Sequence, residues 1–223
     1  MKKQALNQSW PVFSEEEVQI VSNILRSGKV NYWTGDQGKL FEKEFAEYIG
    51  VNHAIALANG TLALELALKA LGITPCDEVI VPSLTFTSTA EVVRYLGADV
   101  KLVDVNPVTL NIDIKAIRNA ITSKTKVIMP VHYAGLSCDM DGIFEIAKEF
   151  GLQVVEDAAH ALPTTYKGDM VGTLNSDITV FSFYANKTIT TGEGGLVVTR
   201  NLDLANRIKI MGFYCPEYRE VEF

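Results

Sequence analysis

The sequence has few cysteines, and their arrangement predicts neither a disulfide framework nor a zinc site. Three occur in 223 residues, at Cys76, Cys138 and Cys215, far apart and without a C-x-x-C pair. Small secreted domains and structural zinc modules use more cysteines at closer spacing. We therefore expect a protein of the reducing cytoplasm, with no metal at its functional site.

Long apolar runs and an excess of basic residues are also absent. No stretch approaches the roughly 20 apolar residues of a membrane-spanning helix. The opening MKKQALNQSWPVF has no apolar run behind its two lysines, unlike a signal peptide. The net charge of −7 argues against a nucleic-acid-binding protein, which would carry a basic patch. We expect no membrane and no nucleic acid as partners, whereas a small anion needs only local donors.

The sequence further lacks the glycine fingerprint of dinucleotide-binding enzymes. Its one glycine cluster, GEGG at 192–195, does not have the G-x-G-x-x-G spacing and precedes a predicted strand rather than a helix. A nicotinamide-dependent oxidoreductase is therefore disfavoured.

Short apolar strands alternate with helices along most of the chain. With 48% hydrophobic residues, the chain can bury a sizeable core. A capping box at Ser14 and Glu17 begins an N-terminal helix that ends at Gly28, and a second helix follows at about 39–49. The alternation predicts an α/β fold with a mostly parallel central sheet flanked by helices. The predicted strands are 53–58, 77–82, 99–105, 125–132, 152–157, 178–183 and 195–199.

Polar residues follow three of these strands, where ligands of open parallel sheets bind. The first group, Asn59, Gly60 and Thr61, lies between a strand and a helix. Free amide groups and the helix dipole would make an anion site there. Alternatively, Asn59 or Thr61 only caps the helix and Gly60 only relieves a tight turn.

The second group is a pair of acids at the end of strand 152–157. Glu156 and Asp157 would be partly desolvated there, and a buried carboxylate needs a cation or a hydrogen-bond donor. The alternative is a helix cap. His160 lies three residues further on, and a lone histidine is more often structural than catalytic.

The third group surrounds Lys187, four residues beyond strand 178–183, which contains Ser182. A lysine screened from water at the mouth of a sheet has a lowered pKa and can act as a nucleophile or form a Schiff base. The alternative is an ordinary surface lysine. An anion site, a carboxylate and a lysine are together what pyridoxal phosphate (PLP) requires.

Several segments in order resemble one enzyme family. They are NYWTGDQGKLFEKEFAEYIGVNHAIALANGTLALELAL, DEVIVPSLTFTSTAEVVRYLGADVKLVDV, TKVIMPVHYAG, VVEDAAHA, YKGDMVGT and FSFYANKTITTGEGGLVVT. With them the chain resembles, from about residue 28 to 211, the PLP-dependent sugar aminotransferases of the DegT–DnrJ–StrS type. The resemblance implies the large domain of the aminotransferase-like fold type I.

Carried onto this sequence, the resemblance assigns a role to each candidate residue. Lys187 would form the Schiff base with PLP, and Asp157 would face its ring nitrogen. Phe86 would stack on the ring, although without the family we would predict a core aromatic at this position. His160 would lie near the phenolic oxygen. Gly60, Thr61 and Ser182 would hold the phosphate. His132 and Tyr133 match a family segment near the pocket.

The implied reaction is transamination of a keto nucleotide-sugar, of the 4-keto-6-deoxy type, with an amino-acid donor such as glutamate. The product would serve surface polysaccharide or lipopolysaccharide biosynthesis. One alternative is a sugar dehydratase, in which a histidine replaces the lysine, so that Lys187 argues against it. Another is a non-catalytic or regulatory relative.

The resemblance also implies a domain organisation and an assembly. Members are longer homodimers, so residues 1–223 would form the PLP-binding large domain with an N-terminal helical segment. The smaller C-terminal domain would be missing from this piece.

Overall fold

The computed structural model describes residues 10–212. Two helices come first, α1 (Glu15–Ser27) and α2 (Gln37–Ile49). The predicted capping box is present: the Ser14 hydroxyl accepts from the Glu17 amide, and the Glu17 carboxylate accepts from the Ser14 amide. Helix α1 is capped at its carboxyl end by the predicted Gly28, whose φ of 70° is left-handed.

A seven-stranded sheet forms the centre of the molecule. The strands follow in chain order as β1 (His53–Leu57), β2 (Glu78–Pro82), β3 (Asp99–Val103), β4 (Thr125–Ile128) and β5 (Gln153–Asp157), then β6 (Thr165–Tyr166), β7 (Asp169–Met170), β8 (Ile178–Ser182) and β9 (Gly195–Thr199). Their order in the sheet is β1-β9-β8-β5-β4-β2-β3, and β6 and β7 form a separate ribbon.

Only β9 runs against its neighbours in the main sheet. It pairs antiparallel with β1 and β8, whereas the other pairs are parallel. The predicted mostly parallel sheet is therefore confirmed. The carboxyl ends of β1, β5 and β8 consequently meet at one edge, which is where such sheets bind ligands.

Helices cover both faces of the sheet. The further helices are α3 (Gly60–Ala70), α4 (Ser88–Tyr95), α5 (Ile114–Ala120), α6 (Met140–Phe150) and α7 (Leu202–Gly212). Buried residues of α3, α4 and α7 pack on one face, and those of α2, α5 and α6 on the other. Since side chains alternate along a strand, Val155 and Asp157 share the α3 and α4 face. Val154 and Glu156 share the opposite face.

Apart from shifts of one or two residues at strand ends, two features differ from the sequence prediction. The strand predicted at 125–132 ends at Ile128, because Pro130 has no amide hydrogen to continue the ladder. Pairing resumes only as an isolated bridge between Val131 and Asp157. The β6–β7 ribbon was not predicted, since two residues per strand are too few for a periodic pattern. Within residues 10–212, no helix is long and apolar enough to span a membrane.

Candidate active site

A cavity of about 660 Å³ opens at the carboxyl edge of the sheet. Residues from the β1–α3 turn, the segment before α4, the end of β5 and the end of β8 line it. The structure thus brings together segments that are far apart in sequence. All seven predicted site residues line this cavity: Gly60, Thr61, Phe86, Asp157, His160, Ser182 and Lys187.

The amino end of α3 offers unpaired amide groups to the cavity. Asn59 caps the helix, because its side-chain oxygen accepts from the Leu62 amide at 2.8 Å and its carbonyl accepts from the Ala63 amide at 3.1 Å. The amides of Gly60 and Thr61 have no hydrogen-bond partner among the described residues. The cap and the anion site are therefore compatible: Asn59 satisfies one amide and leaves two free.

The β1–α3 turn packs closely on β8 and β9. A Cβ atom on Gly60 would lie 3.2 Å from the Ser182 Cβ, and one on Gly195 would lie 2.2 Å from the Asn59 carbonyl oxygen. Gly195 pairs with Ser182 across the sheet. A side chain at 195 would therefore push the free amides away from the Ser182 hydroxyl. Gly195 is the last residue of the GEGG cluster, but its contact with Asn59 was not predicted and is visible only in the structure.

Asp157 lies on the cavity wall and is 5% exposed. One carboxylate oxygen accepts from the Ala159 amide at 3.1 Å, and the other accepts from the Thr89 hydroxyl at 2.8 Å. No helix follows Asp157 directly, so the interpretation as a helix cap is wrong. Its carboxylate instead accepts one hydrogen bond within a local turn, from Ala159, and one from helix α4, from Thr89.

Glu156 points away from the cavity into a buried polar network. Its carboxylate accepts from the Thr179 hydroxyl at 2.8 Å and lies 2.8 Å from the His132 Nε2. The Cys138 amide donates to the His132 Nδ1 at 3.1 Å. Burial lowers the pKa of His132, but its contacts with Cys138 and Glu156 outweigh burial and raise it to about 10. The Nε2 nitrogen, which faces the carboxylate, donates to Glu156. Of the predicted residues His132 and Tyr133, Tyr133 lines the cavity. His132 does not line it and is fully buried.

Lys187 faces Asp157 and His160 across the cavity. Its ammonium forms no hydrogen bond or salt bridge within residues 10–212. Burial lowers the pKa of the Lys187 amine, and the attraction of Asp157 only partly opposes this effect. The pKa of His160 is also lowered, first by burial and then by the charge of Lys187. A lowered pKa increases the fraction of neutral amine, which is the nucleophilic form of Lys187.

Phe86 is 75% exposed, although it is a large aromatic residue. Its interpretation as a core aromatic is therefore wrong, and its ring is free to contact a ligand in the cavity. Several other lining residues were not predicted, because nothing in a local sequence pattern assigns them to one cavity. They include Thr85, Tyr184, Asn186 and Glu193.

Curated relatives share this sequence over most of its length. The chain is 47% identical over 206 residues to the spore coat polysaccharide biosynthesis protein SpsC of Bacillus subtilis, covering 92% of this chain and 52% of that protein. It is 51% identical over 182 residues to GDP-perosamine synthase of Caulobacter vibrioides, covering 80% and 49%. The chain thus spans about half the length of these relatives.

Solved structures share the fold. An aminotransferase from Psychrobacter cryohalolentis superposes with a TM-score of 0.88 at 45% identity, covering 90% of this chain and 51% of that one. NtdA from Bacillus subtilis with bound cofactor PMP superposes with a TM-score of 0.80 at 35% identity, covering 88% and 45%. These neighbours confirm the predicted fold class, an aminotransferase-like large domain. Since the family model also matches residues 11–219, the chain belongs to the DegT/DnrJ/EryC1/StrS aminotransferase family.

Proposed function

We propose that this chain is the PLP-binding part of an aminotransferase that aminates a keto nucleotide-sugar. One observation carries the proposal: a lysine with a lowered pKa, a buried carboxylate and two unpaired helix amides line one cavity. Each feature alone has a structural explanation. Their combination matches the aldehyde, the ring nitrogen and the phosphate of PLP.

The cavity fits this cofactor in its donors and its size. About 660 Å³ lies within the range of small-molecule sites. The amides of Gly60 and Thr61, with the Ser182 hydroxyl, would hold the phosphate at the positive end of the α3 dipole. Asp157 would face the ring nitrogen, and Lys187 would bond to the aldehyde.

Two further residues would complete the cofactor site. The exposed ring of Phe86 would cover one face of the cofactor ring. His160, whose ring lies near both Lys187 and Asp157, would contact the phenolic oxygen.

Asp157 and Lys187 would have different roles in the reaction. When bound, PLP supplies an electron sink for the negative charge that develops on the α-carbon of an amino-acid substrate. The Asp157 carboxylate would hold a proton at the ring nitrogen and thereby maintain that sink. The Lys187 amine, whose pKa is lowered by burial, would act as the base that removes the α-carbon proton.

The relatives support the choice of substrate class. One is named a GDP-perosamine synthase and another a spore coat polysaccharide biosynthesis protein. We therefore propose a nucleotide-linked keto sugar, of the 4-keto-6-deoxy type, as the amino acceptor and glutamate as the donor. The product would serve surface polysaccharide or lipopolysaccharide synthesis in the cytoplasm.

The cavity needs further cationic groups to bind such substrates. Among its described lining residues, only Lys187 and His160 can carry positive charge. A donor carboxylate and a nucleotide diphosphate both call for additional cations. We propose that a smaller C-terminal domain and a second copy of the chain in a homodimer supply them.

Two alternative functions are less consistent with the site. A sugar dehydratase of this family would carry a histidine where this chain has Lys187. A non-catalytic relative would not need to retain Lys187, Asp157 and Ser182 around one cavity.

The test is chemical trapping of the cofactor. The chain is incubated with PLP, reduced with borohydride, and searched for a pyridoxyl group by peptide mass spectrometry. We expect the adduct on Lys187 and none in Lys187→Ala. Absence of the adduct in a folded sample would contradict the proposal for this chain. The same assay on a full-length version would show whether the remaining half is required.

A further inference from the structure

The Asp157 carboxylate connects to the cavity wall through two threonine hydroxyls. The Thr89 hydroxyl donates to Asp157 at 2.8 Å and lies 2.8 Å from the Thr85 hydroxyl. Thr89 is fully buried in the first turn of α4, 68 residues from Asp157 in sequence. Thr85 lines the cavity.

The direction of this chain of hydrogen bonds follows from the chemistry of its members. An ionised carboxylate only accepts, so the single hydroxyl proton of Thr89 must point to Asp157. The Thr89 oxygen therefore accepts from Thr85, whose proton points away from the cavity. The Thr85 oxygen keeps its other lone pair free to accept from a ligand or water in the cavity.

We propose that Thr89, supported by Thr85, is a positioning residue that orients the Asp157 carboxylate toward the cofactor ring. The inference rests on the proposed function, in which Asp157 faces the ring nitrogen. Thr89 and the Ala159 amide hold one carboxylate oxygen each. Rotation of the carboxylate would break both contacts, so the plane is fixed before any ligand binds.

Threonine suits this task better than a generic hydroxyl. Its β-branch restricts the side-chain torsion. Thr89 is completely buried, so water cannot replace its hydroxyl as the donor to Asp157. A purely structural role predicts something different: Thr89 would fill space in the core and use Asp157 only as a convenient acceptor. Its effect on cofactor binding would then not depend on Asp157.

The test measures PLP affinity by absorbance titration. Thr89→Val keeps the shape and removes the hydroxyl, whereas Thr89→Ser keeps the hydroxyl. We expect the Kd for PLP to rise about tenfold in Thr89→Val, the effect of losing one hydrogen bond to a charged group. Thr89→Ser should remain within about twofold of wild type, and Thr85→Val should lie between the two. If Thr89→Val does not fold, Thr89→Cys, with its weak S–H donor, replaces it with the same expectation.

A double-mutant cycle separates positioning from packing. In an Asp157→Ala background, we expect Thr89→Val to leave the Kd for PLP unchanged, because no carboxylate remains to be oriented. A tenfold effect that persists in this background would overturn the inference, as would a Thr89→Val chain that binds PLP like wild type. Failure of the wild-type chain itself to bind PLP would overturn the proposed function and this inference with it.

Discussion

The imidazole of His132 and the carboxylate of Glu156 form a hydrogen-bonded pair, 2.8 Å apart, with both side chains fully buried. The Thr179 hydroxyl on β8 donates to the same carboxylate. The backbone amide of His132 donates to the carbonyl of Asp157 at 3.1 Å. The pair thus ties the segment after β4 to β5 and β8, directly behind the cavity.

Loss of His132 should strongly destabilise the fold. We expect His132→Ala to lower the free energy of unfolding by about 3–5 kcal/mol, because Glu156 would remain buried without its main partner. Urea denaturation of the cofactor-free chain measures this change. Lys43→Ala, which removes an exposed contact of 3.9 Å to Glu47, should change the same quantity by less than about 0.5 kcal/mol. A loss below about 1 kcal/mol for His132→Ala would argue against the pair.

Ser182→Ala should weaken binding of the phosphate specifically. We expect the Kd for PLP to rise roughly tenfold or more, since a hydrogen bond to a charged group is lost. Pyridoxal, which lacks the phosphate, serves as the matched ligand and should bind Ser182→Ala and wild type alike. If Ser182→Ala weakened the binding of PLP and of pyridoxal equally, the Ser182 hydroxyl would not be a phosphate ligand.

Gly195→Ala should damage the anion site and the fold together. The new Cβ would overlap the Asn59 carbonyl oxygen, at a distance of 2.2 Å, and displace the β1–α3 turn. We expect lower stability in thermal unfolding and loss of measurable PLP binding. Gly72→Ala is the control, because a Cβ there meets no atom of residues 10–212 within 4 Å and its φ of 80° is the unfavourable feature. It should cost about 1–2 kcal/mol and leave the Kd for PLP unchanged. Normal PLP affinity in Gly195→Ala would contradict the proposed close contact.

The Lys187 amine should react at lower pH than an ordinary lysine. Burial penalises its ammonium form and lowers its pKa, so the neutral amine appears earlier as the pH rises. Trace acetylation of the cofactor-free chain across pH, read by mass spectrometry, measures this directly, with exposed Lys43 as the internal reference. In Asp157→Asn the profile of Lys187 should move further down, because the opposing attraction is removed. Coincident profiles for the two lysines would contradict the expected shift.

Local patterns in the sequence were sufficient for much of the architecture. Apolar periodicity predicted the alternation of strands and helices, and Ser14, Glu17 and Gly28 marked the limits of α1 as found. Ligands of open parallel sheets bind beyond the carboxyl ends of the strands, and this rule made Gly60, Asp157 and Lys187 candidate site residues. The ordered segments then fixed the family. The alternation of elements, the limits of α1 and the family were confirmed, because each depends on neighbouring residues or on their order along the chain. The roles of Gly60, Asp157 and Lys187 stay predictions.

Other features depended on contacts between distant residues. The sequence did not predict the hydrogen bond from Thr89 to Asp157 or the pair of His132 and Glu156. It also did not predict the close contact between Gly195 and Asn59. Nor could it decide whether Phe86 lies in the core or at the cavity.

The sequence by itself determined the fold class and the candidate residues, whereas the tertiary structure decided their surroundings. Residues of β5 illustrate the division. An acidic pair at a strand end is visible in the sequence, but strand alternation sends Glu156 into the core and Asp157 to the cavity. Which face is which depends on the helices packed on each side and on the strand order β1-β9-β8-β5-β4-β2-β3. That order is set by the burial of apolar surface over the whole domain, which no local stretch of sequence contains.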